Sequence, residues 1–338
     1  MRPWIIGITD YVKPPFSIEQ TVFGHETEFV DLEWDSGVPN DLENVRSVDA
    51  LLVWHAHIDE RVAAAAERCQ IVVRYGVGVD NLDVGALEDH GISVCNTPDY
   101  GVEEVADTTL ALIMGLHRGV FCYDEEARWH ETGWQEHVLR SLKRSRDTVV
   151  GVVGLGRIGS SVALRLRACG FQVVGFDPYV PAGHEKVLGC SRVNSLSELQ
   201  AKCEIVTLHC TLTKETMGMV DATFLSGMRP GSILVNTARG GIINGLDDIE
   251  AALRSGHLAG VGLDVLPDEP PGEGTLIQDW RGREPWLRGR MIVTPHTAYF
   301  SVAAWTEMRQ SASETARRVL SGGQVRNRVR SAEPLAMP

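Results

Sequence analysis

A chain of 338 residues, 43% hydrophobic and 23% charged, is long enough for two domains with ordinary buried cores. Its formal net charge of -13 repels nucleic-acid phosphates and anionic lipid, which argues against both as partners. The same charge obliges any site for an acid to supply its own local positive charge.

The first apolar stretch, in MRPWIIGITDYVKPP, ends at Asp10 and reads as a first strand rather than a signal peptide. No apolar run reaches the roughly 18 residues of a membrane span. Seven cysteines are scattered without a CxxC pair, the usage of buried free thiols in a reducing cytosol, so a cytoplasmic protein is expected, with no metal site. WIIGITD, DALLVWHA, QIVVRYG and ISVCNTP are four candidate strands in the first hundred residues, with helices at Glu60–Arg68 and Val84–His90 between them. This βαβ rhythm calls for a parallel sheet covered on both faces. A long helix is expected from Val102 to about Arg118, with Glu103 and Glu104 at its start, where the helix dipole favours them. Residues 121–146 are rich in charge and tryptophan and read as an arm or second helix.

A second βαβ series begins at Thr148, with strands TVVGVVGL, QVVGFDP, IVTLHC, SILVNTA, LAGVGLDV and MIVTPH. Six strands in one unit suggest a doubly wound dinucleotide-binding domain. The stretch Pro267–Pro285 reads as a long loop, and a last helix runs from beyond His296 to about Leu320.

Gly154, Gly156 and Gly159 form G-x-G-x-x-G between a strand and a helix, and Arg157 and Ile158 lie within it. The first glycine permits the tight turn, the second lets backbone approach a pyrophosphate, and the third lets helix and strand pack closely. The helix N-terminus offers free N–H groups to the phosphates. Asp177 closes the next strand at about the spacing expected of the carboxylate that binds the adenosine ribose diol. A 2′-phosphate would meet that carboxylate at contact distance, so NAD is expected rather than NADP. Asp177 also admits a plain role as a strand-end turn residue.

Three later residues follow strand ends of the same domain, where open α/β sheets bind ligands: Arg239, Glu269 and His296. An arginine fork binds a carboxylate bidentately and polarises a carbonyl. Histidine gives or takes the proton on a C2 oxygen, and a carboxylate stabilises and orients the imidazolium. Taken singly, Arg239 admits a role as a surface cation, Glu269 as a solvated loop carboxylate and His296 as a core histidine. Their joint placement after a dinucleotide fingerprint favours a 2-oxo acid site.

IVVRYGVGVDNLD, ISVCNTP, VEEVADTTL, VVGLGRIG, FDPY, VTLHC, LVNTARGG, LDV…EP and TPHTAYFS…EMR occur in order over roughly residues 70–310. With these segments the chain resembles the D-isomer-specific 2-hydroxyacid dehydrogenase family, and within it the C-terminal-binding-protein and phosphoglycerate-dehydrogenase-like branch. The resemblance implies two doubly wound α/β domains, a Rossmann-type cofactor domain inserted into a flavodoxin-like substrate domain. The boundaries are then 1–98 for the first part of the substrate domain, 99–297 for the cofactor domain with a dimerisation arm at about 100–146, and 298–338 for the return. It implies Arg239, Glu269 and His296 as substrate anchor, partner carboxylate and acid/base. It assigns Cys210, Thr211, Thr216, Thr237 and Ala238 to the cofactor and Asp264 to its nicotinamide side. Gly76, Val77 and Gly78 would present amides to the substrate carboxylate, Arg74 would add charge, and His55 matches a pocket position. Tyr299 stands where the C-terminal-binding branch has tryptophan, and Val77 where it has serine, so substrate identity does not transfer.

Two functions follow from this reading. One is an NAD-dependent enzyme interconverting a small D-2-hydroxy acid and its 2-oxo acid, working as a homodimer. The other is an NAD(H)-sensing, corepressor-like binding scaffold. The complete Arg–Glu–His set favours the enzyme, as do compact ends that leave little room for regulatory appendages; an allosteric serine-sensing form is not expected. Among acids, 3-phosphoglycerate, glycerate or glyoxylate, and larger 2-oxo acids all remain open.

Overall fold

The computed structural model describes residues 2–34, 39, 42–129, 134–136 and 142–331, with the Trp129 side chain outside that set. Two compact units divide the chain. One comprises the described residues up to Gly101 together with those from Ser301, and the other is Val102–Phe300. Both are doubly wound α/β units, the second set within the sequence of the first.

In the first unit β1 (Ile5–Ile8), β2 (Glu28–Asp31), β3 (Ala50–Val53), β4 (Ile71–Arg74) and β5 (Ser93–Cys95) run parallel in the order β5-β4-β3-β1-β2. A late strand, Arg328–Val329, joins β5 antiparallel. Parallel strands are covered on both faces, and ALLV of β3 is accordingly buried throughout. Helices Glu60–Ala65 and Val84–Asp89 start where Asp59 and Asp83 accept amide hydrogens from Val62 and Ala86, at 3.1 and 3.0 Å. Four of the strands follow the expected segments. β2 is the addition, because EFVD buries none of its residues fully and so leaves no apolar run.

The helix Val302–Leu320 is capped by the Ser301 hydroxyl, which accepts from Ala304 N at 2.9 Å. Its Arg309 holds Glu19 of the helix Ser17–Phe23 through two bonds of 2.7 and 2.5 Å, and the Tyr75 hydroxyl donates to Glu19 at 3.1 Å. Glu19 is 0% exposed. Removing one partner would leave a buried charge uncompensated, at a cost of about 3–5 kcal/mol. The network therefore fastens the returning helix to the first unit.

The second unit holds β6 (Val149–Val153), β7 (Gln172–Phe176), β8 (Ser191–Arg192), β9 (Ile205–Leu208), β10 (Ser232–Asn236), β11 (Leu258–Leu263) and β12 (Met291–Val293). All run parallel, in the order β12-β11-β10-β9-β6-β7-β8. The six expected strands are present, and β8 is too short to leave a pattern. The stretch read as a loop from Pro267 to Pro285 is corrected: it contains the helix Thr275–Arg281. Leu276 and Ile277 of that helix are 2% and 1% exposed and Trp280 packs against the same core, a short apolar face that the surrounding glycines and prolines obscured. Helices Val102–His117 and Val120–Trp129 follow the expected long helix and arm. The rest of the arm at 130–133 and 137–141 lies outside the described residues. Among the described residues no single helix is long and apolar enough to cross a membrane.

Candidate active site

In the second sheet β6 is flanked by β7 on one side and β9 on the other. The strand order reverses there, and open sheets bind ligands beyond the carboxyl ends of the strands at such a point. The loop Gly154–Gly159 stands at that end. Gly154 has φ +90°, and a Cβ on Gly159 would fall 1.9 Å from the Gly154 carbonyl oxygen, so neither position tolerates a side chain. The space around Gly156 is open: a Cβ there would meet nothing within 4 Å. Gly156 is also the N-cap of the helix Arg157–Ala168, and no side chain caps the end. Its first amides therefore remain for an anion, which is the fit a pyrophosphate needs.

Asp177 closes β7. Its carboxylate oxygens accept from Leu155 N and Tyr179 N, both at 2.8 Å, so it also braces the glycine loop. Cys210 lies beside Gly154, with its amide nitrogen 2.6 Å from where a Cβ would stand. Burial pushes its thiol up to about 11, so it stays a neutral thiol rather than a thiolate. Burial also pushes the adjoining His209 imidazole down to about 3, which keeps that ring uncharged. Thr216 accepts from Thr213 N at 2.8 Å and donates to the Thr211 carbonyl at 2.6 Å, fixing the turn that carries Thr211. The Thr237 hydroxyl is buried against Thr109 at 2.8 Å, leaving that residue's backbone as the group it can present. Arg157 is exposed, and Ile158 and Ala238 are half-buried.

Arg239, Glu269 and His296 follow the neighbouring strands β10, β11 and β12. Asn236, fully buried at the end of β10, donates to the Arg239 carbonyl at 2.9 Å and accepts from Ala238 N at 3.0 Å, which shapes the arginine turn. A Cβ on Gly240 would lie 1.7 Å from the Leu266 carbonyl oxygen, so this turn packs directly on the one leading to Glu269. Glu269 accepts from Leu266 N at 2.8 Å with one oxygen and meets His296 Nδ1 at 2.7 Å with the other. Burial pushes the Glu269 carboxyl up, but the His296 hydrogen bond and charge, the Leu266 amide and the Arg239 charge outweigh it. The group is held below its usual range and stays ionised.

His296 has φ +52°, a left-handed conformation that costs a residue with a side chain. Asp264 imposes it. That carboxylate, 2% exposed, accepts from Thr294 Oγ1 at 2.6 Å, Thr297 N at 2.9 Å and Ala298 N at 3.0 Å. The His296 amide in turn donates to the Asp264 carbonyl at 2.8 Å. Asp264 thus clamps the turn that aims the imidazole. Asn236 was not anticipated from sequence; its one signal is a polar residue ending the apolar strand SILVN.

Tyr299 is half-buried in this unit, edge-on to Phe300 at 6.3 Å. His55, Arg74, Gly76, Val77 and Gly78 lie in the first unit. His55 is exposed after β3, with its amide held by Asp10 at 2.7 Å. Gly76, Val77 and Gly78 follow β4, and Arg74 lies against the first of them: a Cβ on Gly76 would fall 1.4 Å from the guanidinium. Among the described residues no group of three or more His, Cys, Asp or Glu side chains could hold a metal ion.

Residues 110–298 match the NAD-binding domain of D-isomer-specific 2-hydroxyacid dehydrogenases. The chain is 35% identical to D-3-phosphoglycerate dehydrogenase of Mycobacterium bovis, over 87% of its own length and 53% of the relative's. It is 33% identical to C-terminal-binding protein 1 of Caenorhabditis elegans, over 82% of its own length and 38% of that relative's. The match therefore spans about half of these relatives or less. The fold is similar to that of D-lactate dehydrogenase from Aquifex aeolicus complexed with NAD and lactic acid. That likeness has a TM-score of 0.82 and 25% identity, covering 94% of this chain and 96% of the other.

Proposed function

The chain belongs to the D-isomer-specific 2-hydroxyacid dehydrogenase family, and we propose that it is an NAD-dependent enzyme interconverting a small D-2-hydroxy acid and its 2-oxo acid. The observation that carries this reading is the 2.7 Å contact between His296 Nδ1 and Glu269, next to the Arg239 turn and on the strand ends that follow the glycine loop. Gly154–Gly159 and Asp177 would hold NAD(H), which when bound would supply the hydride for C2. As that carbon is reduced, negative charge gathers on the C2 oxygen. Glu269 occupies Nδ1, so His296 donates from Nε2, as imidazolium, to that oxygen. Arg239 holds carboxylate and carbonyl together, so that C2 is presented in one orientation. In the other direction His296 takes the hydroxyl proton as the hydride departs. Asp264, through the backbone it clamps, keeps the imidazole in place. Arg74 and the amides of Gly76, Val77 and Gly78 are the assigned partners of the substrate carboxylate, with His55 and Tyr299 as pocket residues. The seven unpaired cysteines fit a cytoplasmic enzyme.

The test is NADH oxidation with a panel of 2-oxo acids. Tight NADH binding without turnover of any acid would instead favour the cofactor-sensing scaffold suggested by the likeness to C-terminal-binding protein 1.

Glu269→Gln is expected to fold normally but to lower kcat for reduction, because the amide that replaces the carboxylate facing His296 Nδ1 carries no charge to balance the imidazolium. Turnover of wild type and variant with the same oxo acid checks this, and equal rates would contradict the role given to Glu269.

Asp177→Ala is expected to narrow the preference for NADH over NADPH by weakening NADH more. A wild type that used both equally would refute the assignment.

We also assign the arm to a homodimer interface. Val120, Phe121 and Trp134 are 54%, 38% and 73% exposed, an apolar surface for a soluble chain to leave uncovered. Light scattering should give twice the 37.1 kDa chain mass. A species of single-chain mass at micromolar concentration would rule it out.

A further inference from the structure

In the second sheet β6 lies between β7 and β9, so the loops leaving β7 and β9 flank the glycine loop. A side-chain bond joins those two loops. The hydroxyl of Tyr179, two residues past Asp177, donates to the Glu215 carboxylate. Backbone bonds hold both ends of this bridge. The Tyr179 amide donates to Asp177 at 2.8 Å, and Arg192 donates to the Asp177 and Val180 carbonyls at 2.9 and 3.3 Å. On the other side the Glu215 amide donates to the Thr213 hydroxyl at 3.3 Å, in the turn that Thr216 fixes.

The bridge lies at the surface: Tyr179 is 36% exposed and Glu215 is exposed as well. The bond to Glu215 pushes the Tyr179 phenol up, and burial and the charges of Glu215 and Asp177 add to the effect. The hydroxyl therefore keeps its proton, and both carboxylates act on it.

We infer that Tyr179 and Glu215 form a second selector, besides Asp177, for the ribose diol of NAD against the 2′-phosphate of NADP. The inference rests on Gly154–Gly159 and Asp177 being the cofactor site. Donor count gives the first reason. A phenol has a single O–H, and Tyr179 commits it to Glu215, so only oxygen lone pairs remain for a ligand. A ribose hydroxyl can donate to them, whereas an ionised phosphate has no hydrogen to give. Charge gives the second reason. A 2′-phosphate entering beside Asp177 meets two carboxylates instead of one, and like charges brought together are unfavourable. Arg192 is engaged by its two carbonyls and lies 3.8 Å from Glu185. Lys214 adjoins Glu215 in the chain and is exposed, and a single cation leaves the two carboxylates in excess.

Calorimetric titration with NADH and with NADPH tests this and needs no turnover. The wild type should bind NADH more tightly. In Glu215→Gln, whose amide oxygen still accepts from Tyr179, the ratio of Kd for NADPH over NADH should fall about tenfold, mainly through tighter NADPH. Tyr179→Phe keeps the ring without the oxygen and should lower the ratio about three- to tenfold, through weaker NADH. Asp177→Ala alone should keep some preference for NADH, which the double variant Asp177→Ala/Glu215→Gln loses. A general loss of structure would weaken both dinucleotides together and leave the ratio in place. Ratios unchanged in Glu215→Gln and Tyr179→Phe, or equal affinities in Asp177→Ala alone, would overturn the inference while leaving the cofactor site intact. Binding of neither dinucleotide by the wild type would overturn the cofactor site and the inference with it.

Discussion

Replacing His296 is expected to lower kcat for oxo acid reduction by on the order of 10²-fold or more, the usual worth of a positioned general acid. The choice of variant matters because of the backbone. At φ +52° the residue is left-handed, a region asparagine tolerates far better than alanine. His296→Ala combines loss of the proton donor with strain in the turn held by Asp264. His296→Asn keeps the turn and removes only the acid/base. The two should therefore lose similar turnover, with His296→Asn the more stable to heat. The imidazole side chain is 34% exposed, so little core packing is lost in either. Turnover within a fewfold of wild type in His296→Asn would show that another group delivers the proton.

Arg239→Ala is expected to raise KM for the oxo acid steeply and to lower kcat as well, since anchoring and orientation fail together. Truncating one member of a buried charge pair costs about 2–5 kcal/mol, which is roughly 30-fold to several thousandfold in kcat/KM. Arg239→Lys should recover little of this, because a point charge does not reproduce the planar fork. A second effect follows from the site's electrostatics. The Arg239 charge helps hold the Glu269 carboxyl down, so without it Glu269 takes up a proton at a higher pH than in the wild type. The variant's remaining activity should then fall off sooner on the acid side. A rise in KM with kcat unchanged would mean that Arg239 serves binding alone.

The residues that make up the cofactor loop were readable from sequence because each acts where it stands. Gly154, Gly156 and Gly159 work through their own backbone, and Asp177 through its place at a strand end. The strand ends bearing Arg239, Glu269 and His296 were equally legible, since β10, β11 and β12 are apolar runs that stop at those residues. The supporting groups were not. Asn236 bonds residues two and three positions on, a turn that the strand SILVN does not announce, and Asp264, read from sequence for a cofactor role, clamps amides at 297 and 298 that folding brings to it. No local pattern reports the Asp264 pairing. The helix Thr275–Arg281 escaped because its apolar residues, Leu276, Ile277 and Trp280, are too few to stand out among the flanking glycines and prolines.

The most direct test of the central claim is the initial rate of NADH oxidation by wild type and His296→Asn, each given the same panel of 2-oxo acids at neutral pH. The account predicts turnover of at least one acid by the wild type and a loss on the order of 10²-fold in the variant, with NADH still bound. NADH binding without turnover of any acid, or equal rates in the two proteins, would contradict it.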